Sequence, residues 1–265
     1  MRLLPHTLRL RPRLDGSITL NTYQLLIDPQ PDLLSTSFDA ENNPITVCWF
    51  DQPTNHLDIK LLIEAQTHRA NPFDFRLEPE HQSLPFTYPA DTILRIPPAA
   101  FSTHSDDAVA ELAQQAAHKA GNQLPDTLTQ LAKLIQSTCP PEYREYGPPL
   151  SPAETLSRRT GSCRDLTLLY IHAARSLGLA ARFVTGYEWA EDETLRNELH
   201  AWAEVYLPGA GWRGYDPSSG LAVANQHIPL AASANHEQAA AVSGSYVGPL
   251  GIDSLTHEVN VSRLD

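Results

Sequence analysis

The segment RRTGSCRDLTLLYIHAARSLGLAARFVTGY, residues 158–187, places a thiol, Cys163, where a helix should begin. Ser162 is suited to cap that helix, and Asp165 three residues on completes the pattern of a capping box. Leu166, Leu169, Ala173 and Leu177 follow at spacings of three and four, which makes a buried stripe, and Gly178 supplies the stop. A cysteine in such a first turn meets unpaired N–H groups and the positive end of the helix dipole, both of which favour thiolate over thiol. Cys163 is therefore a potential nucleophile, and the same N–H groups could receive the oxyanion of an acyl-transfer intermediate. A buried cysteine next to an ordinary cap gives the same local pattern, so the thiol alone decides nothing. Cys48, in ITVCWF, and Cys139, before Pro140 and Pro141, lack the helix-start setting and read as packing residues.

A thiol nucleophile needs an imidazole in reach, and the imidazole needs a carboxylate or amide to fix its tautomer. Of 11 histidines, His200 stands out because it opens LHAWAEVYL, which a PGAG turn joins to GWRGYDPSSG with Asp216 at its far end. Side chains alternate along strands, so His200 and Asp216 share a face only if paired positions sum to an even number, for example Trp202 with Asp216 and Tyr206 with Trp212, which needs a loop of odd length or a bulge. In that register His200 is the diagonal neighbour of Asp216, roughly 7 to 8 Å away along the backbone, a gap the two side chains can close. Taken singly, His200 is also a half-buried strand residue and Asp216 a turn residue before Pro217. His227, in NQHIPLA, is the rival imidazole, able to enter a site from a loop or a strand.

Taken together, a Gly-x-Cys-x-Asp helix start, ARFVTGY, His-Ala-Trp, and Gly-Trp followed by Asp-Pro resemble the transglutaminase-like superfamily over roughly residues 125–265. LRLRPR and FDAENNPITVCWF are similar to the β-rich domain that precedes this core in bacterial members. The resemblance implies a papain-like core, circularly rearranged so that the cysteine helix comes before the sheet carrying His and Asp. Residue by residue, it makes Cys163 the nucleophile, His200 the general base and then acid, and Asp216 the orienter. A second oxyanion donor would come from PEYREYGPPLSP, where Tyr143 is preferred over Arg144 and Tyr146; each could equally be a loop residue packed on the sheet. Animal cross-linking members use calcium, but no clustered carboxylate loop occurs here, and neither metal nor other cofactor is expected. A metal site built on Cys, His and Asp would be short of ligands unless His227 joined it.

These residues must be held by a larger frame. From His6 to about Leu77 the pattern alternates, with turn signals at Asp15-Gly16 and between Asp39 and Pro44, which predicts short antiparallel strands in a sandwich or barrel. Pro79, Pro85, Pro89, Pro97 and Pro98 then suit a stiff linker, and the boundary falls there. The expected division is a β-sandwich domain over 1–97 and a catalytic core over 98–265. Helices are predicted in DDAVAELAQQAAHKAG, LPDTLTQLAKLIQS and SPAETLSRR, and strands in LAARFVTGY, LHAWAEVYL, GWRGYD, SGSYVG and THEVNVSRL, giving an α+β core.

Composition narrows the chemistry. Of 265 residues, 19 are Lys or Arg and 31 Asp or Glu, a net charge of -12 that argues against nucleic acid as a partner. No uninterrupted apolar stretch suggests a secretory signal or a membrane span, so a cytoplasmic protein is expected. Three widely separated cysteines point to free thiols. The expected activity is cysteine-dependent acyl transfer on a peptide or protein substrate, by hydrolysis of a peptide, isopeptide or side-chain amide. Protein cross-linking and a non-catalytic peptide-binding module are the alternatives. The charged run at 188–198 reads as a solvated loop beside the cleft.

Overall fold

The computed structural model describes residues 1–102, 106–144, 147–189, 199–248 and 256–264. The amino-terminal part contains β1 (Arg2–Leu3), β2 (His6–Leu8), β3 (Ile18–Asp28), β4 (Leu33–Phe38), β5 (Pro44–Trp49) and β6 (Asp58–Thr67). β3 and β6 form a long antiparallel ribbon, while β2, β5 and β4 lie side by side in a second sheet. The alternating residues do what alternation demands. Leu8 and Cys48 from one layer meet Leu25, Ile27, Ile59 and Leu61 from the other around Leu3, Leu10 and Phe50.

The proline-rich stretch is not a free linker. It carries the single turn α1 (Ala90–Ile93), and Tyr88 ties it to the core: the phenol donates to Tyr206 O at 2.8 Å and accepts from Ala180 N at 3.0 Å. α2 (Asp107–Lys119), α3 (Leu124–Thr138), α4 (Pro152–Arg158) and α5 (Cys163–Ser176) follow where their patterns predict them. The Asp106 carboxylate caps α2 by accepting from Val109 N, and Gly178, at φ +81°, takes the left-handed turn that ends α5. The α5 stripe of Leu166, Leu169, Tyr170 and Ala173 is wholly buried among the helices and one sheet face. Truncating Leu169 to alanine would cost about 2–5 kcal/mol, because so enclosed a site collapses poorly.

That sheet is antiparallel, with β7 (Ala181–Glu188), β8 (Leu199–Leu207), β9 (Gly211–Asp216), β10 (Leu221–Ala222) and β11 (His227–Ser233) in the order β10-β9-β8-β7-β11. Phe183, Ala201, Ala203, Val205 and Tyr215 line the face under α5. Val184, Trp202 and Ala232 line the other. The amino-terminal domain docks against β11, where the Asn43 side chain exchanges two hydrogen bonds with the Ala232 backbone and Arg13 N donates to Pro229 O.

The chain then returns to its beginning. β12 (Val242–Ser243) pairs with β2 and β13 (Tyr246–Val247) with β1, so SGSYVG contributes to the amino-terminal sheets and not to the core. The β-sandwich domain expected over 1–97 thus takes strands from far outside that range, which cover edges that would otherwise lie open. THEVNVSRL alternates but forms no strand over 256–264 and is largely exposed.

Candidate active site

Cys163 is the first residue of α5 and only half-buried, unlike Cys48 and Cys139. The turn that presents it is fixed by Asp165, whose carboxylate is fully buried. Its Oδ2 accepts from Ser162 N and Ser162 Oγ, each at 2.8 Å, and its Oδ1 from Arg144 Nη2 at 2.6 Å and Leu150 N at 2.7 Å. Burial opposes ionisation here, but the Arg144 and backbone donors outweigh it and hold the Asp165 pKa below its ordinary value. The capping box legible in the sequence is therefore one half of a network whose other half, Arg144 and Leu150, arrives from the preceding loop.

His200 and Asp216 meet through strand register. Tyr206 pairs with Trp212 and Ala203 with Tyr215, the register required to put the two on one face. His200 Nε2 then lies 3.0 Å from Asp216 Oδ2, while Asp216 Oδ1 accepts from Ser218 N at 2.8 Å. Cys163 stands close enough to the same imidazole to contribute to raising its pKa. α5 covers the opposite face of the sheet, so the thiol meets the ring where β8 begins and not across the middle of the strand. The ring's Nε2 faces the carboxylates of Glu188 and Asp216.

The electrostatics favour a charged pair. Burial works against the His200 imidazolium, yet the charge and hydrogen bond of Asp216, followed by Cys163, raise its pKa well above the ordinary value. Burial likewise opposes the Asp216 carboxylate, and His200 and then His227 keep it ionised well below the usual range. Burial alone raises the Cys48 thiol and dominates in Cys139, in keeping with their packing role.

Two more residues close the site. His227 opens β11 opposite Glu188 at the end of β7. Glu188 Oε2 is 3.3 Å from His200 Nε2, and its Oε1 is 3.6 Å from His227 Nε2. His227 Nε2 is also 3.7 Å from Asp216 Oδ2. The rival imidazole thus sits beside His200, not in place of it. Glu188 was hidden in the sequence as the first residue of a charged run, although its even spacing from Gly186 and Val184 put it on the site face. Gly186 makes the cluster possible: a Cβ there would stand 2.2 Å from Ile228 O and 2.4 Å from Trp202 Cη2. Trp202 fills that gap, and His227 packs edge-on against it with ring centroids 5.0 Å apart.

Tyr143 lies in the loop before α4, with 53% of its surface exposed. Tyr146, the charged stretch at 190–198 and His104 fall outside the described residues. Among the described residues, no helix is long and apolar enough to cross a membrane.

A helix-borne thiol, an imidazole and a carboxylate on an antiparallel sheet, preceded by a β domain, define a class, and sequence comparison gives the same one. Residues 110–217 match the model of the transglutaminase-like superfamily, and residues 1–66 match that of the bacterial transglutaminase-like N-terminal region. The chain thus carries a transglutaminase-like core and a bacterial transglutaminase-like N-terminal region.

Uncharacterized protein ML0607 of Mycobacterium leprae is 28% identical over 116 residues, 42% of this chain and 40% of that protein. Uncharacterized protein YebA of Bacillus subtilis is 33% identical over 74 residues, 24% of this chain and 10% of that protein. The chain thus spans less than half the length of these curated relatives. Among solved structures, "a Putative Cysteine Protease from Cytophaga hutchinsonii" superposes with a TM-score of 0.68 at 17% identity, covering 93% of this chain and 82% of that one. The likeness establishes a shared two-part fold.

Proposed function

We propose that this protein is a cysteine-dependent acyl-transfer enzyme that hydrolyses amide bonds in a peptide or protein substrate through a thioester. The observation that carries the reading is the junction at His200, whose ring stands 3.0 Å from the buried Asp216 carboxylate and whose pKa Cys163 helps to raise. The Cys163 thiolate attacks the carboxamide carbon, and first-turn N–H groups of α5 receive the oxyanion. The C–N bond breaks as the His200 imidazolium gives its proton to the departing amine. Neutral His200 then takes a proton from water, the hydroxide attacks the thioester, and C–S cleavage returns the thiolate and imidazolium pair. Asp216 holds the ring orientation throughout. Tyr143 is the proposed second oxyanion donor.

Water is preferred as acyl acceptor because hydrolysis needs no second docking site. The name carried by the Cytophaga hutchinsonii protein is in keeping with hydrolysis. The test combines Cys163→Ala with trapping. Incubation of the wild-type chain with a mixed amide-bearing peptide library should give a thioester on Cys163 by mass spectrometry and a free carboxylate product. Cys163→Ala should give neither, with an unchanged melting temperature. Full activity in that variant would reject the assignment, and an amine conjugate in place of the carboxylate would identify cross-linking.

A further inference from the structure

The site holds more ligands than acyl transfer uses. One atom each from Glu188, His200, Asp216 and His227 lies within 4.8 Å of every other. The edges given above, from 3.0 Å for His200–Asp216 to 3.7 Å for His227–Asp216, form a closed circuit in which each carboxylate faces both imidazoles. A tetrahedral zinc ion with nitrogen and oxygen ligands at about 2.0–2.1 Å has ligand-to-ligand edges of roughly 3.3 Å, within a few tenths of these four.

His227 is the independent sign. Its side chain is 6% exposed, and among the described residues neither ring nitrogen has a hydrogen-bond partner. Nε2 is aimed between two carboxylates, yet 3.6 and 3.7 Å are too long for hydrogen bonds. A buried imidazole normally finds a partner, because desolvating it without one is costly. A cation between the four groups would shorten every contact by replacing it with a coordinate bond, and two carboxylates would neutralise its charge.

We propose that Glu188, His200, Asp216 and His227 form a binding site for a divalent transition-metal ion of the zinc type. The donor set of two imidazoles and two carboxylates suits zinc and its neighbours and lacks the all-oxygen character of a calcium or magnesium site. The site shares His200 and Asp216 with the proposed hydrolytic machinery. An ion on His200 Nε2 fixes the ring's one remaining proton on Nδ1, so the ring can no longer accept a proton from Cys163. Metal occupancy and acyl transfer are therefore mutually exclusive, a consequence that rests on the functional reading above, whereas the site itself does not.

The test uses the full chain, purified without a polyhistidine tag and stripped with chelator. Titration with Zn2+ by calorimetry should show one ion per chain. Co2+ should give the visible spectrum of a tetrahedral nitrogen and oxygen site, with no sulfur-to-metal charge-transfer band. Cys163→Ala should bind as wild type. His227→Ala and the half-exposed Glu188→Gln, each checked for folding by circular dichroism, should weaken binding more than about a hundredfold, beyond the loss of an outer-shell group. A charge-transfer band that disappears in Cys163→Ala would place the ion on the thiol and overturn the proposal. So would wild-type affinity in both His227→Ala and Glu188→Gln, or the absence of stoichiometric binding. Zn2+ should also suppress amide hydrolysis, with recovery on adding chelator. Intact binding with no hydrolysis under any condition would count against the enzyme reading and leave the metal site standing.

Discussion

Two charged clusters lie on the same face of β7 and β8, separated by the Val184–Trp202 pair, and they are built on opposite principles. At one end Arg182 and Glu204 are direct cross-strand neighbours, joined at 2.6 Å. The guanidinium also lies 4.0 Å from the centroid of the Trp212 ring. Arg13 also stands close enough to act on both charges, and the surplus face of the Arg182 guanidinium has an aromatic partner. At the other end two imidazoles face two carboxylates and the thiol, and the His227 ring goes without a hydrogen bond among the described residues. A hollow lined in part by Ile96, Arg182, Tyr206, Trp212 and Ala234 opens at the first cluster, where none of the proposed catalytic side chains lies. Satisfied charge holds the fold, and unsatisfied titratable groups mark the chemistry.

The comparison breaks most sharply at Asp216. Asp216→Asn keeps the shape but removes the charge that orients and stabilises the His200 imidazolium, so kcat should fall roughly a thousandfold or more. The corresponding amide at the other end, Glu204→Gln, should leave kcat within about twofold, since Glu204 touches no reacting group. Steady-state kinetics on one amide substrate compares the two; equal losses would erase the distinction. Stability should respond the other way. Arg182→Met alone strands a largely buried Glu204 and should cost on the order of 3 kcal/mol in urea unfolding, whereas Arg182→Met with Glu204→Leu should recover most of it. A double variant no better than the single one would show that the pair does more than neutralise itself.

Between the clusters, Gly186→Ala tests what separates them. A methyl group so close to Ile228 O and Trp202 cannot be accommodated without moving the β7–β11 pairing or the indole. The expected loss is about 1–3 kcal/mol, the usual cost of overpacking, together with reduced activity because His227 and His200 both pack on Trp202. An unchanged melting temperature would mean that the backbone gives freely there.

The two ends also differ in how far the sequence reveals them. For His200 and Asp216, strand alternation left two registers open, only one of which puts them on a common face, and β8 and β9 adopt that one. Cys163 was legible from its cap and the apolar stripe behind it. Arg182 and Glu204 gave no signal, because a cross-strand ion pair follows from pairing β7 with β8 across a segment whose length says nothing about register. Glu188 was obscured in the same way. The return of β12 and β13 to the first strands was also out of reach: two-residue strands carry no period, and their partners lie over 230 residues away in the chain. Local pattern determines elements, and long-range pairing determines which of their charges meet.

The smallest expected effect concerns pH and sharpens the contrast at the level of stability. The folded-state pKa of His200 lies above its ordinary value of 6.5 and that of Asp216 below 3.8. The His200 contribution is therefore complete below about pH 6.5 and lost as pH rises through its folded value, while the Asp216 contribution is complete above about pH 4 and lost as pH falls through its own. Both are present between about pH 4 and 6.5. Groups facing His200 are Asp216, Glu188, His227 and Cys163, so the informative quantity is the difference between wild type and His200→Gln, measured with chelator present. Urea unfolding should show the wild type losing more stability than His200→Gln between pH 6 and 9, as the folded imidazolium gives up its proton over that range. Parallel profiles would mean that the imidazole is as protonated unfolded as folded. The Asp216 and Cys163 contacts would then position the ring without holding its charge.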